Sequence, residues 1–182
     1  MKLEKRELCD CKAFHDEIGE EKWHRGLLGK PRLQRTWRPL MLLLKTLLNE
    51  PAGRDDLRAY QRDSWGRQNG GETCVIDLSG LAAKTLQMPI DRKQFRNERI
   101  GVICDKLREH QPRLVVMYGK GEKQCWQQIA AAGLEPEQPY TVGSTIFVMT
   151  THPNTHGRTD ADWMGLGERL RKVDALRRGL DI

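Results

Sequence analysis

Three short apolar runs, separated by helical patterns, dominate the order of hydrophobic and polar positions in this chain. The runs Cys74–Leu78, Leu114–Met117 and Ser144–Met149 contain β-branched residues and have the length of buried strands. Helical patterns follow them at Phe95–His110, from Glu122 to Ala132, and from Thr159 onward. This alternation predicts a three-layer α/β/α protein, with a small parallel sheet and crossover helices on both of its faces.

The first predicted helix is the most apolar segment of the chain. It begins at Thr36, whose side chain can cap it, and Pro39 is tolerated in its first turn. Leucines and a methionine cover nearly every side, so we expect this helix to be buried on more than one face. Asn49–Gly53 ends it, and a short polar helix is predicted over Asp55–Arg62.

Two later helices have recognisable ends. Gly133 is predicted to stop the helix that begins near Glu122. The last helix begins with a capping box formed by Thr159 and Asp162. The apolar stripe that we expect it to bury consists of Trp163, Leu166, Leu170, Val173 and Leu176.

Nothing in this pattern divides the chain. Its 182 residues suffice for one domain with a sizeable core. No repeat, low-complexity tract or linker interrupts the alternation, so we predict a single domain over 1–182. Residues 1–30 are polar and without clear periodicity, and form a poorly defined amino-terminal segment.

Composition indicates a globular protein of a reducing compartment. Charged residues make up 31% of the chain and aromatic residues 6%. Met1–Asp10 is charged throughout, unlike a secretion signal, and the longest apolar run, Leu40–Leu44, is too short to cross a bilayer. With five cysteines, an odd number, this predicts a cytoplasmic protein without a membrane partner.

Cys9, Cys11 and His15 are close enough in sequence to suggest a metal site. One residue between the thiols is tighter than the usual zinc knuckle spacing, and no second Cys or His pair follows nearby. We therefore predict no metal here, and a frayed, partly exposed terminus. The chain also lacks HExxH, GxGxxG and nucleophile-elbow motifs, and we predict no cofactor.

The distribution of charge is more informative than the net charge of +6, which favours a polyanionic partner only mildly. Seven basic residues and no acidic one lie between Glu21 and Glu50, with Trp23 and Trp37 among them. Cations beside flat rings suit phosphates and bases, which predicts a DNA-binding surface. This surface would include Arg32, Arg35 and Arg38. The alternative is a solvated basic face whose tryptophans point into the core.

Polar side chains follow each predicted strand. His152 comes just after the third run, Lys120 after the second, and Asp77 and Ser79 lie at the end of the first. Because the carboxyl ends of parallel strands share one edge of a sheet, we expect His152, Asp77 and Lys120 to line one cleft. Each also has a simpler explanation: a loop hydrogen bond for His152, a turn cap for Asp77, and solvent exposure for Lys120.

Four short motifs occur in an order and spacing typical of one known family. A strand and glycine turn, PRLVVMYGK, is followed by a terminal strand and His-Pro loop, IFVMTTHPNTHG. Upstream lie the strand CVIDLSGLAAKT and the apolar helix RTWRPLMLLLKTLL. From about Lys30 to Arg178, the chain resembles the uracil-DNA glycosylase superfamily.

This resemblance implies a DNA repair hydrolase that flips a damaged base, such as uracil, out of DNA and hydrolyses its N-glycosidic bond. His152 would donate a hydrogen bond to a carbonyl of the flipped base and stabilise charge on the departing ring. Asp77, or else Ser79, would recognise the base together with Asn154.

The resemblance also implies DNA contacts outside the base pocket. Arg158 is the candidate for a side chain that wedges into the duplex where the base left. Lys120 and Arg113 would touch the DNA backbone.

The chain departs from the family pattern at three points. Asn154 replaces the usual Ser of the His-Pro-Ser loop. Asp77 replaces an Asn, and an ionised carboxylate cannot donate to a base oxygen. Neither an apolar strand nor a Gly-x-x-Pro-Gly motif precedes Lys30, so the family's first strand and water-activating motif are missing. A shortened chain, a rearranged sheet, or a strand from a second copy in a homodimer through an unpaired strand edge would each explain this.

Two other functions fit the same residues. The first is a catalytically inactive nucleic-acid-binding module of the same fold, with double- or single-stranded DNA as its partner. The second is an unrelated α/β enzyme that holds a small phosphorylated molecule at the Gly119 turn.

Overall fold

Five α-helices and three β-strands form the part of the chain that the structure describes. This computed structural model describes residues 32–66, 72–78 and 96–177. The helices are α1 (Trp37–Leu47), α2 (Arg54–Asp63), α3 (Arg96–His110), α4 (Lys123–Ala130) and α5 (Asp160–Arg177). The strands are β1 (Leu114–Tyr118), β2 (Pro139–Val142) and β3 (Thr145–Thr150), and a 3-10 turn, Lys120–Glu122, precedes α4.

The sheet is mixed, with the strand order β1-β3-β2. β1 and β3 run parallel, with Leu114 opposite Ile146 and Tyr118 opposite Thr150, as predicted for these two strands. β2 is antiparallel to β3, and the tight turn between them uses a left-handed Gly143, at φ +57°. The prediction of a wholly parallel sheet is therefore wrong, because the third strand is a hairpin arm without a helical crossover.

The predicted strand Cys74–Leu78 is not formed. Residues 72–78 have an irregular backbone, although Ile76 and Leu78 pack against an apolar cluster of the core. The carbonyl oxygen of Asp77 accepts a hydrogen bond from Arg99 Nε at 2.9 Å. A side chain, and not a neighbouring strand, thus satisfies this carbonyl group. The segment can therefore be partly buried without the backbone hydrogen bonds of a β-sheet.

Side chains alternate along β3 between two apolar clusters, one on each face of the sheet. Ile146 and Val148 pack with residues of α1, α2 and α5, while Phe147 and Met149 pack with residues of α3 and α4. All six residues of β3 are buried. The chain is thus an α/β protein with helices on both faces of a small sheet, which confirms the predicted class.

α1 packs directly against α5 through a glycine. Seven of the eleven residues of α1 are buried, as expected for a helix covered on more than one face. A Cβ atom on Gly167 of α5 would lie 2.5 Å from the carbonyl oxygen of Leu43 and 2.9 Å from Cβ of Thr46. The two helices can approach this closely only because residue 167 has no side chain.

The capping box predicted for the last helix is present. The Asp162 carboxylate accepts the amide hydrogen of Thr159 at 2.7 Å, and Thr159 Oγ1 accepts the amide hydrogen of Asp162 at 3.3 Å. The cap predicted for α1 is wrong: Thr36 has a helical backbone and makes no side-chain cap. Gln34 Oε1 accepts the amide hydrogen of Trp37 in its place, at 2.7 Å.

The remaining helices lie close to their predicted positions. α2 and α3 match within one residue at each end, but α4 ends at Ala130, where Ala131 and not Gly133 adopts the left-handed conformation, with φ +50°. In α5, Trp163, Leu166 and Leu170 are at most 1% exposed; Val173 is half-buried, and the side chain of Leu176 lies outside the description. Over the described residues, no helix is both long and apolar enough to span a bilayer.

Replacing Gly167 with Ala should destabilise the protein, although alanine favours helix over glycine. The added methyl group would push α1 away from α5, and overpacking of this kind costs about 1–3 kcal/mol. Gly165→Ala is the matched control, because its Cβ would meet nothing closer than Arg169 at 3.9 Å, and we expect it to gain up to about 1 kcal/mol. Urea unfolding measures both, and equal stabilities would contradict the close approach.

Candidate functional site

The carboxyl ends of β1 and β3 lie side by side. The amide of Gly119 donates to the carbonyl oxygen of Thr150 at 3.0 Å, just beyond the last paired residues of the two strands. The loops that follow, 119–122 and 151–159, therefore leave the sheet at one edge. This places Lys120 and His152 on the same edge, as parallel pairing of their strands predicts.

His152 presents a neutral hydrogen-bond donor at this edge. The ring of Tyr118 packs against it edge to face, with 5.4 Å between ring centroids. Nδ1 of His152 accepts the amide hydrogen of Asn154 at 3.2 Å, which places the ring proton on Nε2. Partial burial lowers the pKa of His152 below its ordinary value. The imidazole is therefore uncharged at neutral pH, and Nε2–H is its free donor group.

Tyr118 lies beside His152 and remains a neutral phenol. Burial, and then the negative charge of Asp77, raise the pKa of Tyr118 to about 12. The backbone of Asp77 is held by Arg99 of α3, and the expectation that its carboxylate shares the cleft with His152 stays a prediction. Ser79, the other residue predicted here, lies outside the described residues.

The 3-10 turn after β1 adds charges of both signs. Lys120 is exposed at its start. Glu122, at its end, forms an ion pair with Arg96 of α3, with Oε1 and Nη2 2.6 Å apart. Lys120 thus has the solvent exposure that a backbone-contacting cation needs.

A hydrogen bond ties the His152 loop to the start of α1. Asn154 Nδ2 donates to Thr36 Oγ1 at 3.0 Å. Close by, Arg38 forms an ion pair with Asp160 at the start of α5, with Nη1 and Oδ1 2.7 Å apart. The side chain of Asn154, predicted to read a base, is therefore a tether between two elements in this structure. The same tether places the exposed Arg35 next to the loop.

Arg158 is held inside the protein and does not project from it. Its Nη2 donates to Glu137 Oε2 at 2.9 Å, its Nη1 donates to Thr151 Oγ1 at 3.0 Å, and its guanidinium lies 3.9 Å from the ring centre of Trp163. The side chain is 12% exposed. Burial would raise the pKa of Glu137, but hydrogen bonds from Arg158 and Thr150 outweigh it and lower that pKa. These contacts engage Arg158 within the protein, and the expectation that it wedges into DNA stays a prediction.

Arg113 lies at the opposite end of the sheet. It precedes β1, whereas Lys120 follows it. Its guanidinium pairs with Asp174 of α5 through two hydrogen bonds, one of them 2.8 Å from Nε to Oδ1, and Asp174 is 1% exposed. The structure therefore separates Arg113 from the other predicted DNA contacts and gives it a role in joining β1 to α5.

An open groove of about 790 Å³ lies beside the loop, between α1, α2 and the start of α5. We call it the arginine groove, since Arg32, Arg38, Arg54 and Arg58 line it against the single carboxylate of Asp160. Arg32 and Arg38 were predicted from the basic run, while Arg54 and Arg58 were missed. Their spacing of four on a predicted helix, which places both on one face, is the signal that could have found them.

Of the two rings predicted to accompany these cations, Trp37 lies in the described part of the chain. Trp37 is 8% exposed and belongs to the core, as the alternative explanation expects, and Trp23 lies outside the described residues. Cys9, Cys11 and His15 lie outside them as well. Within the described residues, no three His, Cys, Asp or Glu side chains lie together in a way that could hold a metal ion.

Comparison of the chain with protein-family models, with curated proteins and with solved structures finds no match. The resemblance to uracil-DNA glycosylases therefore stays a prediction, and the functional argument rests on the geometry of this edge and groove.

The lowered pKa of His152 predicts a pH dependence of stability. In the unfolded chain this residue titrates near the ordinary value of 6.5, and in the folded protein it titrates lower. As the pH falls through 6.5 the unfolded state binds more protons, so the contribution of His152 to stability is complete above that pH and declines below it. NMR titration of the ring, assigned with His152→Gln, measures the folded value. A pKa at or above 6.5 would contradict the partial burial.

Arg158→Gln should lower the free energy of unfolding by about 2–4 kcal/mol, since it breaks a largely buried ion pair and a cation–ring contact. Arg108→Gln is the matched control. Arg108 pairs with Asp105, but both side chains are at least 70% exposed, and we expect a loss below about 1 kcal/mol. If denaturant unfolding finds the two variants equally stable, Arg158 does not hold the loop.

Proposed function

We propose that this chain is a nucleic-acid-binding protein of the DNA glycosylase type, which holds DNA along its basic surface and hydrolyses the N-glycosidic bond of an extruded base at His152. The observation that carries the proposal is the hydrogen bond from Asn154 to Thr36. It joins the loop that carries a neutral imidazole donor to the start of α1, which carries the arginines. A donor for a base and cations for phosphates thus lie on one surface.

The reaction needs a group that stabilises the departing base. Water adds to the sugar carbon, and the electrons of the N-glycosidic bond leave with the base. Nε2–H of His152 would donate to a carbonyl oxygen of that base as negative charge develops on it. Tyr118 stays protonated at neutral pH and so adds no opposing negative charge. Asp77, predicted from the sequence to lie at this edge, would accept the proton that the attacking water loses.

A second function uses the arginine groove alone, and consists of binding nucleic acid without releasing a base. The position of Arg158 favours it, because the residue expected to fill the space left by a flipped base is engaged with Glu137. The arginines that line the groove also need no contribution from His152 to attract phosphates.

The two functions differ in what His152 does. If the site is catalytic, His152→Ala should reduce release of uracil from a uracil-containing oligonucleotide by about 100-fold or more, since removal of one such donor typically costs that much. Binding of the oligonucleotide should change little, because the phosphate contacts remain. His156→Ala is the matched control, as His156 is exposed in the same loop and should retain full activity. Alkaline cleavage of the abasic product measures base release.

Three results would change this proposal. Equal loss of activity in both histidine variants would exclude a specific role for His152. Salt-sensitive binding by a protein that releases no base from a panel of lesions would favour the second function. Binding that is indifferent to salt, or absent, would contradict both.

A further inference from the structure

The arginine groove carries a strong excess of positive charge. Among the described residues, neither Arg32 nor Arg54 forms an ion pair, and both are exposed. Arg58 pairs with Asp55, which is 86% exposed and lies outside the groove lining. Only Arg38 is paired within the groove, with Asp160. Two guanidinium groups, those of Arg32 and Arg54, are therefore without an ion pair among the described residues, and the pair of Arg58 is with an exposed carboxylate that a ligand phosphate can replace.

Part of the groove lining, which we call its floor, is apolar. Leu42 and Leu57 belong to it but are only 4% and 1% exposed, so they offer a ligand almost no surface, whereas Leu33 and Ala52 are half-buried. Met164 of α5 lines the same groove and is 39% exposed, so its side chain is accessible to a ligand. A ligand that fits this surface carries negative charge and also a flat or apolar group.

The amino-terminal wall of the groove is fixed by a buried amide. Gln61 of α2 is fully buried; its Oε1 accepts the amide hydrogen of Gln34 at 2.9 Å, and its Nε2 donates to the carbonyl oxygen of Arg32 at 3.0 Å. Arg32 is thus anchored through its backbone while its guanidinium remains exposed. The groove exists before a ligand binds, which lowers the entropic cost of binding.

These features allow the groove to discriminate between single-stranded and double-stranded nucleic acid. The backbone of a duplex presents phosphates, but its bases are stacked inside and would leave the apolar floor uncovered. A single strand can place phosphates on the arginines and turn one unstacked base onto Met164. The combination of charge and apolar floor therefore favours the single strand.

We propose that the arginine groove binds a single-stranded segment, with its phosphates on Arg32, Arg54 and Arg58 and one base on the floor beside Met164. This inference rests on the proposed nucleic-acid-binding function and names the form of nucleic acid that the surface selects. An extruded base at the His152 edge would then belong to a strand that is already unpaired.

Three labelled probes of about twelve nucleotides, within the range of known single-strand site sizes, test this by fluorescence anisotropy with the full chain. They are an oligothymidine, a duplex of the same length, and a strand of abasic sites with the same charge. We expect the oligothymidine to bind about fivefold more tightly than the other two, since covering the Met164 side chain with one base removes apolar surface from water.

Two pairs of variants locate the effect. Met164→Ser should remove most of the preference for oligothymidine over the abasic strand, whereas Val102→Ser, at a similarly exposed position of α3, should leave it unchanged. Arg54→Gln should weaken the binding of all three probes. It should also reduce the slope of log affinity against log salt concentration by about one, because one phosphate contact is lost. Arg108→Gln, an exposed arginine on α3, should do neither.

These measurements distinguish failure of the single-strand inference from failure of the proposed function. If the duplex or the abasic strand binds as tightly as the oligothymidine, with normal salt dependence, the single-strand inference is overturned and nucleic-acid binding stands. If Met164→Ser leaves the preference intact, the base does not lie on this floor and the inference also fails. If none of the three probes binds, the proposed function fails and this inference fails with it.

Discussion

The close approach of α1 and α5 is the constraint on which the arrangement of this protein depends. At Gly167 the helices meet without an intervening side chain, because the carbonyl oxygen of Leu43 occupies the space that a Cβ atom would need. Since the two helices together cover one face of the sheet, this contact fixes where their amino-terminal ends lie. Both ends border the loop that follows β3, and the positions of the His152 loop and of Arg38 depend on them.

The loop that carries His152 is accordingly held from two sides. On one side, Asn154 is bound to Thr36 at the start of α1. On the other, Arg158 is bound to Glu137 and packs on Trp163 of α5. Side chains that would be free to contact a ligand in an open loop are used here to hold it, and the exposed imidazole between them is left available. Because the loop is already fixed, the imidazole donor needs no rearrangement when a ligand binds, and this is what preorganisation of a site means.

Much of the fold was predictable, because it depends on periodicity along the chain. The amphipathic or apolar patterns of the helices and the β-branched runs of β1 and β3 determine those elements locally. The prediction was wrong at Cys74–Leu78, where an apolar run has the composition of a strand but is only partly buried. Its carbonyl oxygen at Asp77 accepts a hydrogen bond from Arg99 instead of from a neighbouring strand. It also missed β2, a four-residue arm that is mostly exposed and depends on pairing with β3 rather than on burial.

The sequence by itself determined which residue types stand after the strands, and so placed His152 and Lys120 at one edge through the rule for parallel strands. Only the tertiary structure decided which cations pair with a carboxylate. The local sequence does not distinguish Arg158 and Arg113 from Arg54. The first two nevertheless form ion pairs with Glu137 and Asp174, carboxylates far away in the chain. The physical reason is that periodicity reports local burial, whereas the partner of a charge depends on which distant segment packs against it.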